Sequence, residues 1–173
     1  DDFHDLNEWR SRLYDFDLIG ADAEGTGFGN ISIRIPGTRE FLITGTQTGS
    51  LSRLNEKHFT RVVAFDPEKN TLKCRGPVRA SSESMTHGAV YQYFPESGAV
   101  IHVHHRRLWD CLCGKVPGTS RDAAYGTPAL AREIAGLAGE NRRGRSGADL
   151  FVMEGHEEGI VSLCAIPVTE ENT

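Results

Sequence analysis

A chain of 173 residues, 38% hydrophobic and 25% charged, has the size and composition of one globular domain with a substantial core. Its net charge is −5, and the basic residues are scattered apart from Arg142, Arg143 and Arg145, which read as a solvated loop and exclude a nucleic-acid partner. No window approaches the ~18 consecutive apolar residues of a membrane span, and the acidic opening DDFHDLNEWR lacks the apolar centre of a signal peptide, so a soluble cytoplasmic protein without a membrane partner is expected.

Leu6, Trp9, Leu13 and Phe16 recur at helical spacing, predicting an amphipathic helix over residues 3–19. The glycine-rich GTGFGN follows, then ISIRI, where Ile31, Ile33 and Ile35 alternate with Ser32 and Arg34; this is a strand with one buried face. Pro36-Gly37 fits a hairpin into FLIT, RVVAF is a third strand, and DPEKN turns it into TLKC. At SSESMTHGAVYQYF the period becomes helical. Ser81 or Ser82 suits the N-cap, Glu83 falls in the first turn, and Met85, Ala89 and Tyr93 share a face. Pro95 and Gly98 stop this helix before the strand AVIHVH. Thr127-Pro128 is an N-cap and first-position pair for ALAREIAGLAG, and LFVME and GIVSLCAI close the series as strands. The hairpin-like turns argue against an all-parallel sheet. The expected class is mixed α/β, a single domain with a largely antiparallel sheet flanked by helices.

Three histidines interrupt the apolar run AVIHVHHRRLW, where unsatisfied imidazoles would cost desolvation. Side chains two apart in a strand share a face, so His102 and His104 can converge on one ion while Val103 packs behind them and His105 faces away. A catalytic zinc takes about three protein ligands and keeps a position open. His156, in MEGHEEGI at a strand end between two glycines, is the third candidate. His4, His58 and His87 have polar neighbours and read as solvent or helix-surface residues. On their own, Asn30 reads as a turn residue, Ser81 and Ser82 as caps, and Glu83 as a complement to the helix dipole. GTGFGN lacks the G-x-G-x-x-G spacing and a preceding strand, which excludes a dinucleotide fold. Cys74, Cys111, Cys113 and Cys164 show no disulfide framework and read as reduced thiols.

In order, GFGNISIR, FLITGTQTG, GPVRASSESMTHGAVYQYFP, GAVIHVHH, YGTPALAREIA and LFVMEGHEEGI resemble the class II aldolase/adducin family. That family includes sugar-phosphate aldolases, a ribulose phosphate epimerase, sugar-acid phosphate decarboxylases and a thioribulose phosphate dehydratase. The resemblance runs from about Leu6 to Leu163 and implies a three-layer fold, with residues 1–173 forming one such domain without the C-terminal closing segment of the aldolases. It implies that His102, His104 and His156 hold Zn²⁺, with Mn²⁺ or Co²⁺ as alternatives, and that Glu83 is the catalytic acid/base. Asn30, Ser81, Ser82 and a Thr-Gly turn would bind a substrate phosphate; Thr46 or Thr48-Gly49 fills that turn. A phosphate beside Glu83 would raise its pKa by like-charge repulsion.

The activity so implied is a zinc-dependent lyase that cleaves a carbon–carbon bond of a small phosphorylated ketose or keto-acid through a metal-stabilised enediolate. A decarboxylase or epimerase of a sugar (acid) phosphate on the same site is the alternative, and a non-catalytic adducin-like assembly domain is a third reading. The resemblance also implies a homotetramer with active sites at subunit boundaries, for which Trp109 and the following DCLCGKVPG are interface material. The surroundings of His156 differ from the family's, and the aldolases' C-terminal tyrosine has no counterpart; Tyr125 lies near, but not at, a motif position.

Overall fold

A strand whose two faces are both covered has to satisfy polar side chains on each, and that requirement organises this molecule. The structure is a computed structural model that describes residues 2–142 and 149–165. In chain order it has α1 (Asp2–Asp15), β1 (Gly20–Ala21), β2 (Gly27–Phe28), β3 (Asn30–Arg34), β4 (Phe41–Thr44), β5 (Phe59–Asp66) and β6 (Thr71–Arg75). There follow α2 (Ser84–Tyr93), β7 (Ser97–His104), α3 (Arg106–Leu112), β8 (Gly118–Thr119), α4 (Pro128–Arg142), β9 (Leu150–Met153) and β10 (Gly159–Ala165). Eight strands form one sheet in the order β6-β5-β4-β3-β7-β10-β9-β8. All neighbours are antiparallel except β8 and β9, so the largely antiparallel α/β class holds.

Side-chain alternation sorts the core into two layers. Val90 of α2, Phe94 at its C-terminal end, and Leu130 and Ile134 of α4 pack against Ile43, Val62, Val100, Phe151 and Val161 on one face. On the other face Leu6 of α1 meets Ile31 and Phe59, and Trp109 of α3 meets Ile19, Val103 and Ile160. Helix, sheet and helix make the three layers. Thr127 caps α4 as expected: its Oγ1 accepts from the Leu130 amide.

Several expectations need correction. α1 ends at Asp15, because Asp17 takes a left-handed φ of 57° and the Leu18 amide turns back to the Leu13 carbonyl, a helix-ending pattern. The apolar stripe of α1 is also narrower than its periodicity suggests: Trp9 is 54% and Phe16 73% exposed, whereas Arg10 is fully buried. β3 is buried on both faces, since α2 covers the side that carries Ser32. α2 begins at Ser84 with Glu83 as its N-cap residue and no side-chain cap bond; Ser81 instead starts the preceding turn, its carbonyl accepting from the Ser84 amide. Trp109 is core, not interface: it is 9% exposed, and its indole N–H donates to the Met153 carbonyl. The β1–β2 ribbon, α3 and β8 had no clear sequence signal. The four cysteines are free, and Cys74, Cys111 and Cys164 are exposed. Arg143 and Arg145 lie outside the described residues. No helix among those residues is long and apolar enough to cross a membrane.

Candidate active site

β7 runs between β3 and β10, and its register sets the site: His102 is the Cα partner of Asn30 on one side and of Val161 on the other. His102 and His104 project to one face, with Val103 packed behind them against Trp109 and Ile160. His156 comes from the β9–β10 hairpin. Nε2 of His104 lies 3.0 Å from Nε2 of both His102 and His156, and the three possible ligand atoms all fall within 4.8 Å of one another. Gly159 permits this approach: a Cβ there would stand 2.8 Å from the His156 carbonyl and 3.3 Å from His102 Cε1. His105, as expected, faces away and caps α3 by accepting from the Leu108 amide.

The triad fits a metal ion. A tetrahedral ion with nitrogen ligands separates them by about 3.3 Å, close to the spacing here. Burial lowers the pKa of all three imidazoles, His104 to about 4, with charge repulsion from His156 adding to the effect at His102 and His104. The rings are therefore neutral near pH 7, the ligating form. One proton shared between two neutral Nε2 atoms leaves the third with a lone pair facing its neighbours, whereas an ion at the shared point would satisfy every lone pair. Among the described residues, Nδ1 of His102 is buried without a hydrogen-bond partner, so on that side the ring is held by packing.

Glu83 stands next to the triad. Its Oε1 lies 3.4 Å from His156 Nε2, and its Oε2 accepts from the Thr86 hydroxyl at 3.0 Å. Burial raises its pKa to about 7, against the opposing pull of the Thr86 hydrogen bond. The shift arises from desolvation before any anion is bound. Such a group exchanges protons readily at neutral pH.

Glu83 and the triad line a cavity of about 340 Å³ together with Asn30, Thr46, Ser81 and Ser82. The structure thereby brings all eight sequence-predicted site residues to one place. The phosphate-turn alternatives are both present: Thr46 and Thr48-Gly49 line the same cavity. The Thr46 amide is spent on the Arg79 carbonyl and the Thr48 hydroxyl on the Gly45 carbonyl. Among the described residues, the amides of Gln47 and Gly49 donate to no backbone carbonyl. Tyr125 also lines the cavity, its ring 4.5 Å from that of His156, and the Phe28 ring stacks on His104 at 5.5 Å.

His87 corrects the expectation of a surface residue: it is fully buried because α2 is covered on nearly every side. Its Nε2 is 2.6 Å from Asn30 Oδ1 and its Nδ1 2.7 Å from Ser32 Oγ, which in turn is 2.7 Å from the Tyr91 hydroxyl. Among the described residues Ser32 is the one acceptor for the buried Tyr91 proton, and a buried donor must be satisfied. Tyr91 therefore donates to Ser32, Ser32 to His87 Nδ1, and His87 Nε2–H to Asn30 Oδ1. This order leaves the Asn30 NH₂ for the cavity, where it presents a donor and no acceptor. Burial holds the His87 pKa down at about 3, so the relay keeps one tautomer across the neutral range. The signal for this network was Ser32 itself, a hydroxyl alternating with core isoleucines.

The Class II Aldolase and Adducin N-terminal domain family model matches residues 21–117. Methylthioribulose-1-phosphate dehydratase of Leptospira borgpetersenii serovar Hardjo-bovis is 30% identical over 104 residues, covering 55% of this chain and 41% of that protein. The 3-oxo-tetronate 4-phosphate decarboxylase of Haemophilus influenzae is 36% identical over 87 residues, covering 50% of this chain and 38% of that protein. The chain thus spans about two fifths of the length of these curated relatives. Among solved structures, an L-fuculose 1-phosphate aldolase superposes with a TM-score of 0.66 at 20% identity, over 94% of this chain and 74% of that one. YgbL of Klebsiella pneumoniae gives 0.64 at 20% identity, over 93% and 77%. At such identity these two establish the fold. With its family model matched over more than half its length and its three-layer fold shared with solved members, the chain belongs to the class II aldolase and adducin family.

Proposed function

We propose that this domain is a metal-dependent lyase that cleaves a carbon–carbon bond beside the carbonyl of a small phosphorylated ketose or keto-acid. One observation carries the reading: a buried carboxyl, Glu83, stands beside an ion-ready imidazole triad and shares one cavity with neutral hydrogen-bond donors. His102, His104 and His156 would hold the cation, and three nitrogen ligands favour zinc, with Mn²⁺ or Co²⁺ as alternatives, over Mg²⁺ or Ca²⁺. When bound, the cation supplies a Lewis acid for negative charge developing on substrate oxygens.

The chain's own groups do the rest. Asn30, the Thr46 hydroxyl, the amides of the loop beyond Thr46 and the hydroxyls of Ser81 and Ser82 bind the phosphate and fix the reacting carbons beside Glu83. In aldol cleavage a proton leaves the hydroxyl β to the carbonyl as the carbon–carbon bond breaks, and a proton returns to the carbon left next to the carbonyl. The Glu83 carboxylate would accept the hydroxyl proton and return it to that carbon, while Thr86 holds Oε2 in position. Burial excludes water from this carboxyl and favours its protonated form.

A second reading keeps the site and changes the bond. The curated relatives are by name a dehydratase and a decarboxylase of phosphorylated compounds, which favours water or CO₂ loss from a similar substrate. The assembly belongs to the same proposal as a homotetramer. A panel of phosphorylated ketoses and keto-acids, offered to the zinc-loaded protein and followed by mass spectrometry, separates these readings. Aldehyde release supports the lyase, and loss of about 18 or 44 mass units, as expected for water or CO₂, supports the second reading. Full zinc binding without turnover of any member leaves the non-catalytic assembly domain.

A further inference from the structure

The cavity reads as an anion site, yet no lysine or arginine lines it, and its charged lining groups beyond the imidazoles are Asp22, Glu83 and Glu158. Uncharged amides and hydroxyls would have to bind a phosphate against three carboxyl groups. Behind the loop, outside the cavity, lies the fully buried Arg10 of α1. Its guanidinium donates to the carbonyls of Thr48 at 2.8 Å and Gly49 at 3.1 Å, and also to that of Leu51. It lies over the Tyr14 ring, 5.0 Å from the centroid. Among the described residues no carboxylate is hydrogen-bonded to it. Burial lowers its pKa only to about 10, so it remains a cation at neutral pH. Asp15 offsets part of this charge without a hydrogen bond, and the three carbonyls meet the rest of the cost of burying the cation.

We propose that Arg10 is a positioning residue that supplies, through the loop, the positive charge of the anion site and so selects a phosphate dianion over a monoanion. The inference rests on the reading of this cavity as a phosphate site. The geometry follows from the planar trans peptide, whose N–H points opposite to its C=O. Arg10 holds the Thr48 carbonyl, so the Gly49 N–H of the same peptide is turned away from the guanidinium, and Gly49 lines the cavity. Gln47, at a left-handed φ of 58°, gives the loop the alternation of backbone hand that gathers successive amides on one side. Hydrogen bonding to a cation also polarises the peptide and strengthens its N–H as a donor. An anion accepting from Gly49 would lie roughly 8 Å from the guanidinium. At that distance and an effective dielectric constant of ~20, Arg10 strengthens binding roughly thirtyfold for each unit of ligand charge before screening, and about tenfold at physiological salt.

The test titrates zinc-loaded protein at fixed pH 8 with methyl phosphate, a dianion, and dimethyl phosphate, a monoanion, by calorimetry. Arg10→Gln keeps a donor for the carbonyls and removes the charge, whereas Arg10→Lys keeps the charge and removes the fork. The expected result is that the dianion-to-monoanion affinity ratio falls about tenfold in Arg10→Gln and stays within about threefold of wild type in Arg10→Lys. A clamp with a merely structural role would weaken both ligands equally, and an unchanged ratio in Arg10→Gln overturns the proposal. Should Arg10→Gln fail to fold, a tenfold fall of the ratio in Arg10→Lys overturns it equally. Failure of wild type to bind methyl phosphate at all would instead remove the phosphate reading, and this inference with it.

Discussion

Two walls of one cavity are built from different material. On one side three imidazoles stand on β7 and on the β9–β10 hairpin, their rings held by the register of the central sheet. On the other, the Thr46–Gly49 loop, Asn30 and two serines line the cavity, fixed from behind by Arg10 and His87. The first wall is made of side chains that lose ligating power when protonated. The second presents donors that do not titrate near neutral pH, and its tunable groups are buried one layer back. The contrast predicts that substitutions and pH should separate the two walls.

The largest effect is expected on the histidine wall. His102→Ala combined with His104→Ala should reduce bound metal from about one ion per chain to a small fraction of that, because a single imidazole rarely retains a divalent ion. Elemental analysis checks this, and wild-type metal content in the double variant would refute the triad. Between the walls, Glu83→Gln keeps the shape and the zinc but removes the base. Turnover of the substrate identified by the panel should fall ~10²–10⁴-fold, the contribution of general acid–base groups. Full activity would reduce Glu83 to the residue that begins α2.

His87 sharpens the comparison through pH. Burial holds its pKa at about 3 in the folded chain, against the ordinary histidine value of 6.5, so between these values the unfolded chain binds more protons and stability rises with pH. At pH 5 the folded protein should have lost about 2 kcal/mol relative to pH 8 from this residue alone. Denaturant unfolding of wild type and His87→Gln isolates it: the stability gap should narrow by that amount as pH falls. A constant gap would mean that His87 titrates alike in both states. The smallest effect belongs to the serines. Ser81→Ala with Ser82→Ala should raise KM about tenfold for a phosphorylated substrate and leave kcat and unphosphorylated analogues nearly unchanged. An equal fall in kcat would place these hydroxyls in the chemistry and not in phosphate binding.

The difference between the walls is also why one was legible in the sequence and the other only partly so. His102 and His104 lie two apart in a strand, so local geometry alone put them on one face, and Ile31 and Ile33 gave their strand the same way. Asn30, Ser81, Ser82 and Glu83 were reached through the family resemblance, not through their spacing. His87 was misplaced because its neighbours Thr86 and Gly88 look like a solvated surface, whereas α2 is enclosed between sheet and α4. Arg10 lies between Trp9 and Ser11 on a helix whose apolar stripe pointed elsewhere. What buries it is the loop some forty residues on, and no local period reports such a partner. Trp109 misled in the opposite direction: a large aromatic of the kind enriched at interfaces suggested a contact surface, yet its indole donates into the core at Met153.

The pairing of Asn30 with His102, and of Gly159 with His104 on the opposite edge of the same strand, has a kinetic consequence. A one-residue slip of β7 would turn both imidazoles toward Trp109 and carry Ile101 and Val103 into the cavity. The three imidazoles therefore meet only after a strand from the beginning of the chain and one from its end have both docked on β7 in register. Pairings of such sequence separation form slowly, because loop closure must precede them. A refolding chain should recover its helical signal first and its capacity to hold an ion last, so that ion uptake times the final strand docking.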